Sequence, residues 1–265
     1  MSASQTPGEK PAQEEGTVLT ILEHIRELRY RIIVSAVALL VATLASLWPL
    51  SGWFLEYLAK PAEDRVENFD LIFIEPLEYW TTYFRVALLL GVAISMPIII
   101  YQVMSFVGPA LRRSEKRWIY PIVAGASFAF VAGCAFAYYV ELPPALGFLI
   151  GAPSDIAEPQ IRIRSYMDFV LRLILVTGLV FEMPLLVMGL AKLGVVNSRK
   201  LLSWWRYAII LAFVLAAVVT PSIDPVTQSL VAGPVIVLYF VGIALAKLVE
   251  GQPVLPMAEK EVSAH

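Results

Sequence analysis

One glutamate in an apolar segment is the residue whose surroundings most suggest a chemical role. Glu182 lies in the run Val180-Phe181-Glu182-Met183-Pro184, where an isolated carboxylate costs several kcal/mol unless it is protonated, hydrated or paired. We favour the interpretation that this carboxyl group serves a function. The structural alternative is a hydrogen bond to a neighbouring helix, near the backbone that Pro184 opens.

Three further acidic residues lie near basic ones. A helix over residues 22–31 would place Glu23 and Glu27 on one face, four positions apart. In residues 106–117, Glu115 stands among four basic side chains. Taken alone, these patterns are typical of an interfacial helix and of a solvated loop charge.

The composition predicts a membrane protein, and hydropathy alone leaves transporter, channel, enzyme and assembly protein open. The 265 residues are 58% hydrophobic and 16% charged, whereas globular domains carry about 25% charged residues. The lone Cys134 excludes a disulfide framework or a thiolate metal cluster. Both histidines, His24 and His265, lie outside apolar runs, which argues against a His metal cage or a Ser-His dyad within the membrane. We therefore expect no cofactor, no metal and no nucleic acid.

Six apolar runs are near the length of about 20 residues that a membrane helix needs. The sequence predicts an all-α, polytopic integral membrane protein with six transmembrane helices, at about residues 32–50, 79–103, 118–140, 166–193, 204–220 and 226–247. The fifth run reaches only about 25 Å, which suggests local bilayer thinning. Internal prolines predict kinks in three spans, at Pro97, Pro184 and Pro234.

The basic residues set the predicted orientation. Of 20 Lys and Arg, 14 lie on the side that holds both chain termini and four on the other, so both termini should be cytoplasmic. Residues 1–17 are predicted to be a disordered cytoplasmic tail, 18–249 the membrane domain and 250–265 a C-terminal tail. On the outer side, the first loop should include a short amphipathic helix, and the second, residues 141–164, should be irregular.

The motifs around Glu27, Glu115 and Glu182 resemble, in the same order along the chain, those of the TatC family of twin-arginine protein translocase subunits. The family's pattern His-Leu-x-Glu-Leu-Arg-x-Arg is matched by residues 24–31, with Ile25 at the first Leu. Further matches are Glu75-Pro76, Gly91, Pro97, Tyr101-Gln102, Phe106, Pro109-x-Leu111, Glu115-Lys116, Phe181-Glu182-x-Pro184 and Thr220-Pro221-x-x-Asp224-Pro225-x-x-Gln228. The resemblance covers about residues 22–249.

The resemblance implies a signal-peptide site on the N-terminal helix and the first cytoplasmic loop. TatC proteins receive there a signal peptide with paired arginines, and the acidic residues at the matching positions are Glu27 and Glu115. Each carboxylate can accept two hydrogen bonds from a guanidinium. Phe106 either contacts the peptide or anchors its span. The other residues assigned to this site are Arg29, Pro109 and Leu111.

A second implied site is a polar surface for a single-span partner. Glu182 resembles the family's buried glutamate of the fourth helix, which faces a concave surface. Thr227 and Gln228 resemble part of the partner-docking surface, although hydrogen bonding between helices of this chain is an equal alternative. Asp224 is placed to cap the last span.

The implied function is that of receptor and core subunit of a twin-arginine translocation system. It would export folded proteins across a bacterial-type cytoplasmic membrane, using the proton-motive force, with TatA- and TatB-type single-span partners and further copies of itself. The main alternative is a proton-coupled small-solute transporter using Glu182, although the sequence lacks repeated halves. An intramembrane protease is a weaker alternative, since Asp168 and Asp224 lie near span ends.

Overall fold

The fold is built from helices. The structure is a computed structural model that describes residues 12–63, 71–72, 74–107, 119–150, 161–192, 194–220 and 224–250. The helices in these ranges are α1 (Ala12–Leu47), α2 (Ser51–Glu63), α3 (Glu78–Val107), α4 (Ile119–Phe136), α5 (Leu142–Ile150), α6 (Ile163–Phe181), α7 (Met183–Lys192), α8 (Ser198–Ser203), α9 (Trp205–Val219) and α10 (Pro225–Val249). A π-helical turn, Ala137–Glu141, joins α4 to α5.

Within the described ranges, five helical segments are long and apolar enough to cross a membrane. They are Glu23–Leu47, Glu78–Phe106, Tyr120–Leu149, Ile163–Lys192 and Pro225–Val249. The remaining predicted span corresponds to α9, whose 15 residues reach only about 22 Å. The all-helical membrane fold is therefore confirmed for the described residues, while the sixth span and the cytoplasmic termini stay predictions. Helix α1 begins at Ala12, inside the predicted N-terminal tail.

Helix α6 lies at the centre of the bundle. It packs against α3, α4, α9 and α10, and Met167, Val170 and Leu173 on it are fully buried. By contrast, only 6% of the residues in the apolar 18-residue stretch of Glu23–Leu47 are buried, as expected for a helix that faces lipid. Helix α1 packs mainly along α3.

Glycines allow α4 and α6 to approach closely. A Cβ atom added at Gly133 of α4 would lie 2.9 Å from the Cα atom of Gly178 on α6. Small residues at helix crossings are the usual device for bringing membrane helices together. The contact fixes the position of α6 just before it ends at Phe181.

The helical pattern breaks at Glu182, between α6 and α7. The Glu182 N–H donates to the Leu179 carbonyl at 3.1 Å, and α7 begins at Met183, one residue before Pro184. The break thus lies next to Pro184, where the sequence predicts a kink. Helices α3 and α10 continue through Pro97 and Pro234, because a proline removes one backbone donor without necessarily ending a helix.

The loops agree with one prediction and correct another. Helix α2 confirms the short helix expected after the first span. The prediction of irregular structure from residue 141 was wrong for Leu142–Ile150, which forms α5; residues 151–160 lie outside the described chain. Pro143 and Pro144 follow the π-helical turn, and Leu142, between the turn and the prolines, keeps helical dihedral angles. A local π-helical adjustment of this kind lets a membrane helix continue past prolines.

A buried carboxylate ties the two loop regions together at the end of the bundle where α3 and α6 begin, here called the Glu78 end. The side chain of Glu78 is buried and accepts a hydrogen bond from Arg162 Nη2 at 3.2 Å. It also accepts from the backbone N–H groups of Ile74 and Arg164. Nearby, Ile72 pairs with Arg162 in an isolated β-bridge.

Candidate functional site

Glu27 lies where α1 packs against α3, at the opposite end of the bundle. Its Oε1 atom accepts a hydrogen bond from Arg31 Nη2 at 2.9 Å, and 31% of its side chain is exposed. Arg31 Nη1 also donates to Gln102 Oε1 of α3 at 3.0 Å. An arginine of the chain itself therefore binds the Glu27 carboxylate.

An apolar groove of about 330 Å³ runs beside this pair, between α1 and α3. Its lining includes Leu28 and Ile32 of α1 and Val103 and Phe106 of α3. The rings of His24 and Phe106 stack at the same end, with centroids 4.3 Å apart. The site thus combines a partly exposed carboxylate with a surface that can take apolar side chains.

The structure brings together some of the residues that the sequence analysis assigned to this site. Glu27 and Phe106 lie at the same end, and Arg29 is exposed on α1. Glu115, Pro109 and Leu111 lie outside the described residues, so their predicted roles stay predictions.

The sequence analysis missed the role of Arg31 and its link to Gln102. Glu27 and Arg31 are four positions apart, which is the spacing of paired charges on a helix, so their pairing could have been predicted. The contact with Gln102 could not, because it depends on how α1 packs against α3.

Glu182 occupies a buried position at the break between α6 and α7. The residue is 7% exposed, and its Oε1 atom is buried with no hydrogen-bond partner among the described residues. Pro184 of α7 lies close to Gly242 of α10, where an added Cβ atom would be 3.3 Å from the proline Cα. A carboxyl oxygen in this position can bind a polar group that enters from a ligand, a partner or water.

Thr227 and Gln228 lie in the first turns of α10, well away from Glu182. Gln228 precedes Gly242, the residue that packs near the break, by 14 positions, or about 21 Å along the helix. Thr227 is buried and its Oγ1 atom has no hydrogen-bond partner in the described chain. Asp224 caps α10 by accepting from the Thr227 N–H at 2.6 Å, as predicted.

A second buried carboxyl group, Glu141, escaped the sequence analysis. It belongs to the helical segment Tyr120–Leu149, and its Oε2 atom accepts a hydrogen bond from Thr177 of α6 at 2.7 Å. Its Oε1 atom is buried without a partner in the described ranges. The apolar residues that continue past Val140 as Leu142–Ile150 indicate that the helix extends beyond Glu141. The sequence analysis instead took Pro143 and Pro144 as part of an irregular loop. Glu182 is therefore not the only buried carboxyl group in the described spans.

The described residues hold no group of three or more His, Cys, Asp or Glu side chains that could bind a metal ion. The membrane-length helices that pack around α6, together with carboxyl groups buried between them, identify the class as a polytopic helical membrane protein. Residues 23–234 match the TatC family, described as Sec-independent protein translocase protein (TatC). The chain belongs to this family, and its function class is protein transport.

Known relatives agree with this assignment. A Sec-independent protein translocase protein TatC from Synechocystis sp. is 38% identical over 250 residues, covering 93% of this chain and 95% of the relative. The chloroplastic protein TATC of Arabidopsis thaliana is 40% identical over 230 residues, covering 87% and 67%. A crystal structure of the twin arginine translocase receptor TatC superposes with a TM-score of 0.78 at 36% identity, covering 85% of this chain and 99% of that one.

These matches also decide between the function classes that the sequence left open. They are to components of a protein translocase, and they indicate no catalytic family. The alternative of a proton-coupled small-solute transporter receives no support from them.

Proposed function

We propose that this protein is the signal-peptide receptor and core subunit of a twin-arginine translocation system. It spans the membrane six times with both termini in the cytoplasm, and it binds twin-arginine signal peptides through Glu27 and Glu115. It assembles with TatA- and TatB-type single-span subunits and with further copies of itself. The assembly exports folded proteins by using the proton-motive force.

The observation that carries the proposal is the bond between Glu27 and Arg31. Arg31 engages only one of the two carboxylate oxygens, Oε1, within the described chain. A carboxylate can accept about four hydrogen bonds, so Glu27 can bind an incoming guanidinium beside Arg31 or in place of it. The partial exposure of Glu27 gives such a ligand access.

The groove beside Glu27 supports a peptide rather than a free arginine as the ligand. Leu28, Ile32 and Val103 supply apolar walls next to the charged pair. A peptide whose arginines are followed by apolar residues would fill both parts of this surface. Burial of those apolar side chains would add to the affinity at about 25 cal/mol per Å².

The test is the affinity of the purified protein in nanodiscs for a labelled twin-arginine signal peptide. Glu27→Gln removes the negative charge and should weaken binding about tenfold, the effect of losing one charged hydrogen bond. Glu23→Gln is the matched control, because Glu23 is an exposed residue one turn earlier on the same helix. It should leave the affinity within about twofold of the wild type.

A twin-lysine peptide provides the second arm of this test. Lysine cannot form the two parallel hydrogen bonds that an arginine makes with a carboxylate, so the wild type should bind it more weakly. Equal affinities of the Glu27→Gln and Glu23→Gln variants for the twin-arginine peptide would contradict the proposed site.

For partner docking we propose the surfaces at Glu182 and at Thr227 and Gln228. Glu182 and Thr227 each have a buried side-chain oxygen without a partner in the described residues. Polar groups inside a membrane protein usually face the protein interior or a partner. Glu182→Gln should reduce co-purification of a single-span subunit bearing a polar residue within its span. Unchanged recovery of that subunit would argue against docking at Glu182.

A further inference from the structure

Three charged side chains form a cluster within the spans at the Glu78 end. Arg85 of α3 forms an ion pair with Asp168 of α6. Arg172 follows Asp168 by one helical turn, and its Nη1 atom donates to the Val218 carbonyl of α9 at 3.3 Å. The cluster therefore has a net charge of about +1, which is costly in hydrocarbon unless an anion or water accompanies it.

The cluster lines a partly open recess of about 470 Å³ between α1, α3 and α6. Arg85 is 44% exposed and Asp168 30%, so their charges are accessible from the recess. The other walls are apolar and include Leu39 and Leu88. A ligand that matches this surface has an anionic group joined to hydrocarbon.

The cluster lies beside the end of the short helix α9. Arg172 lies nine positions after Ile163, the first residue of α6, or about 14 Å along the axis. Its hydrogen-bond partner Val218 is the penultimate residue of α9. Arg172 is therefore level with the end of α9 and about 14 Å along α6 from its start, and a lipid headgroup can reach that level if the bilayer thins beside α9.

We propose that the recess binds the phosphate of an anionic phospholipid, with Arg85 and Arg172 donating to the phosphate and an acyl chain lying along Leu39 and Leu88. The net positive charge favours a headgroup without a compensating ammonium. The apolar walls favour a lipid over free phosphate, which has nothing to place against them.

The test is native mass spectrometry of the intact protein titrated with dioleoylphosphatidylglycerol or dioleoylphosphatidylcholine. The wild type should bind the anionic lipid more tightly. Arg172→Gln should weaken that binding about tenfold, the effect of losing a charged hydrogen bond, and Arg172→Lys should retain most of it. Arg164→Gln is the matched control, because Arg164 is exposed near the start of the same helix and does not line the recess.

Asp168→Asn separates phosphate binding from a structural role of the ion pair. Removing the carboxylate frees Arg85 and raises the net charge of the cluster, so the affinity for the anionic lipid should increase. If this variant does not fold, the comparison of Arg172→Gln with Arg164→Gln decides alone.

Two results would overturn the proposal. One is equal affinity for the two lipids together with no effect of Arg172→Gln. That result would indicate that a carboxylate side chain of a neighbouring helix, not a lipid phosphate, binds in the recess. The other is an affinity for inorganic phosphate equal to that for phosphatidylglycerol, which would show that the acyl chain contributes nothing.

Discussion

The crossing of α4 and α6 leaves no room for a methyl group at Gly133. A Cβ atom there would lie 2.8 Å from Phe181 Cγ and 2.9 Å from Gly178 Cα, whereas non-bonded carbon atoms prefer about 3.5–4.0 Å. Because one of these contacts is to the backbone, a rotation of Phe181 alone cannot relieve the clash. The substitution Gly133→Ala must therefore move α6 away from α4.

The expected cost follows from this geometry. Overpacking a close contact destabilises a protein by about 1–3 kcal/mol. Gly125 lies on the same helix with no heavy atom within 4 Å of an added Cβ, so Gly125→Ala should instead stabilise the helix by about 0.5–1 kcal/mol. The two alanine variants should thus differ in sign and by about 1.5–4 kcal/mol in the free energy of unfolding.

The measurement is SDS-induced unfolding of both variants and the wild type in mixed micelles, followed by circular dichroism. The midpoint should fall for Gly133→Ala and stay equal or rise for Gly125→Ala. A Gly133→Ala protein as stable as the Gly125→Ala protein would refute the close approach of α4 and α6.

Two further predictions concern the loops. Glu78→Gln should lower the melting temperature much more than Glu75→Gln. The reason is that Glu78 is buried against Arg162, whereas Glu75 is 64% exposed and lies 3.8 Å from Arg162. Equal decreases of the melting temperature in a thermal melt would contradict this. Hydrogen bonds from Ser198 lower the pKa of Glu250 below its ordinary 4.5. The wild type should therefore be more stable than Glu250→Gln at neutral pH, and pH-dependent melts should show the difference disappearing as the pH falls through that lowered pKa.

The sequence predicted the helices that hydropathy alone determines. Each apolar run coincides with a helix, because a chain in hydrocarbon must satisfy its backbone hydrogen bonds internally. Asp224 caps α10 as the sequence predicted, and the helical pattern breaks at Glu182, next to the kink predicted at Pro184. The same reasoning failed at Pro143 and Pro144, because the π-helical turn just before them lets the helical segment continue.

Contacts between distant helices could not be predicted from local patterns. The pairing of Arg85 with Asp168 and the burial of Glu141 against Thr177 depend on the order in which α3, α4 and α6 pack. Charge within a span shows that a partner is needed, but it does not say which helix supplies it. At the candidate peptide site, the resemblance identified Glu27, while only the structure showed the hydrogen bond between Arg31 and Gln102.

The most direct test of the proposed receptor function is export in living cells. The chain is expressed, together with its own TatA- and TatB-type partners, in cells that lack TatC, and a folded fluorescent reporter with a twin-arginine signal is followed by fractionation. The account predicts export of this reporter, loss of export when both arginines become lysines, and reduced export for Glu27→Gln but not for Glu23→Gln. Absence of export despite the co-expressed partners, or equal export of both reporters, would contradict it.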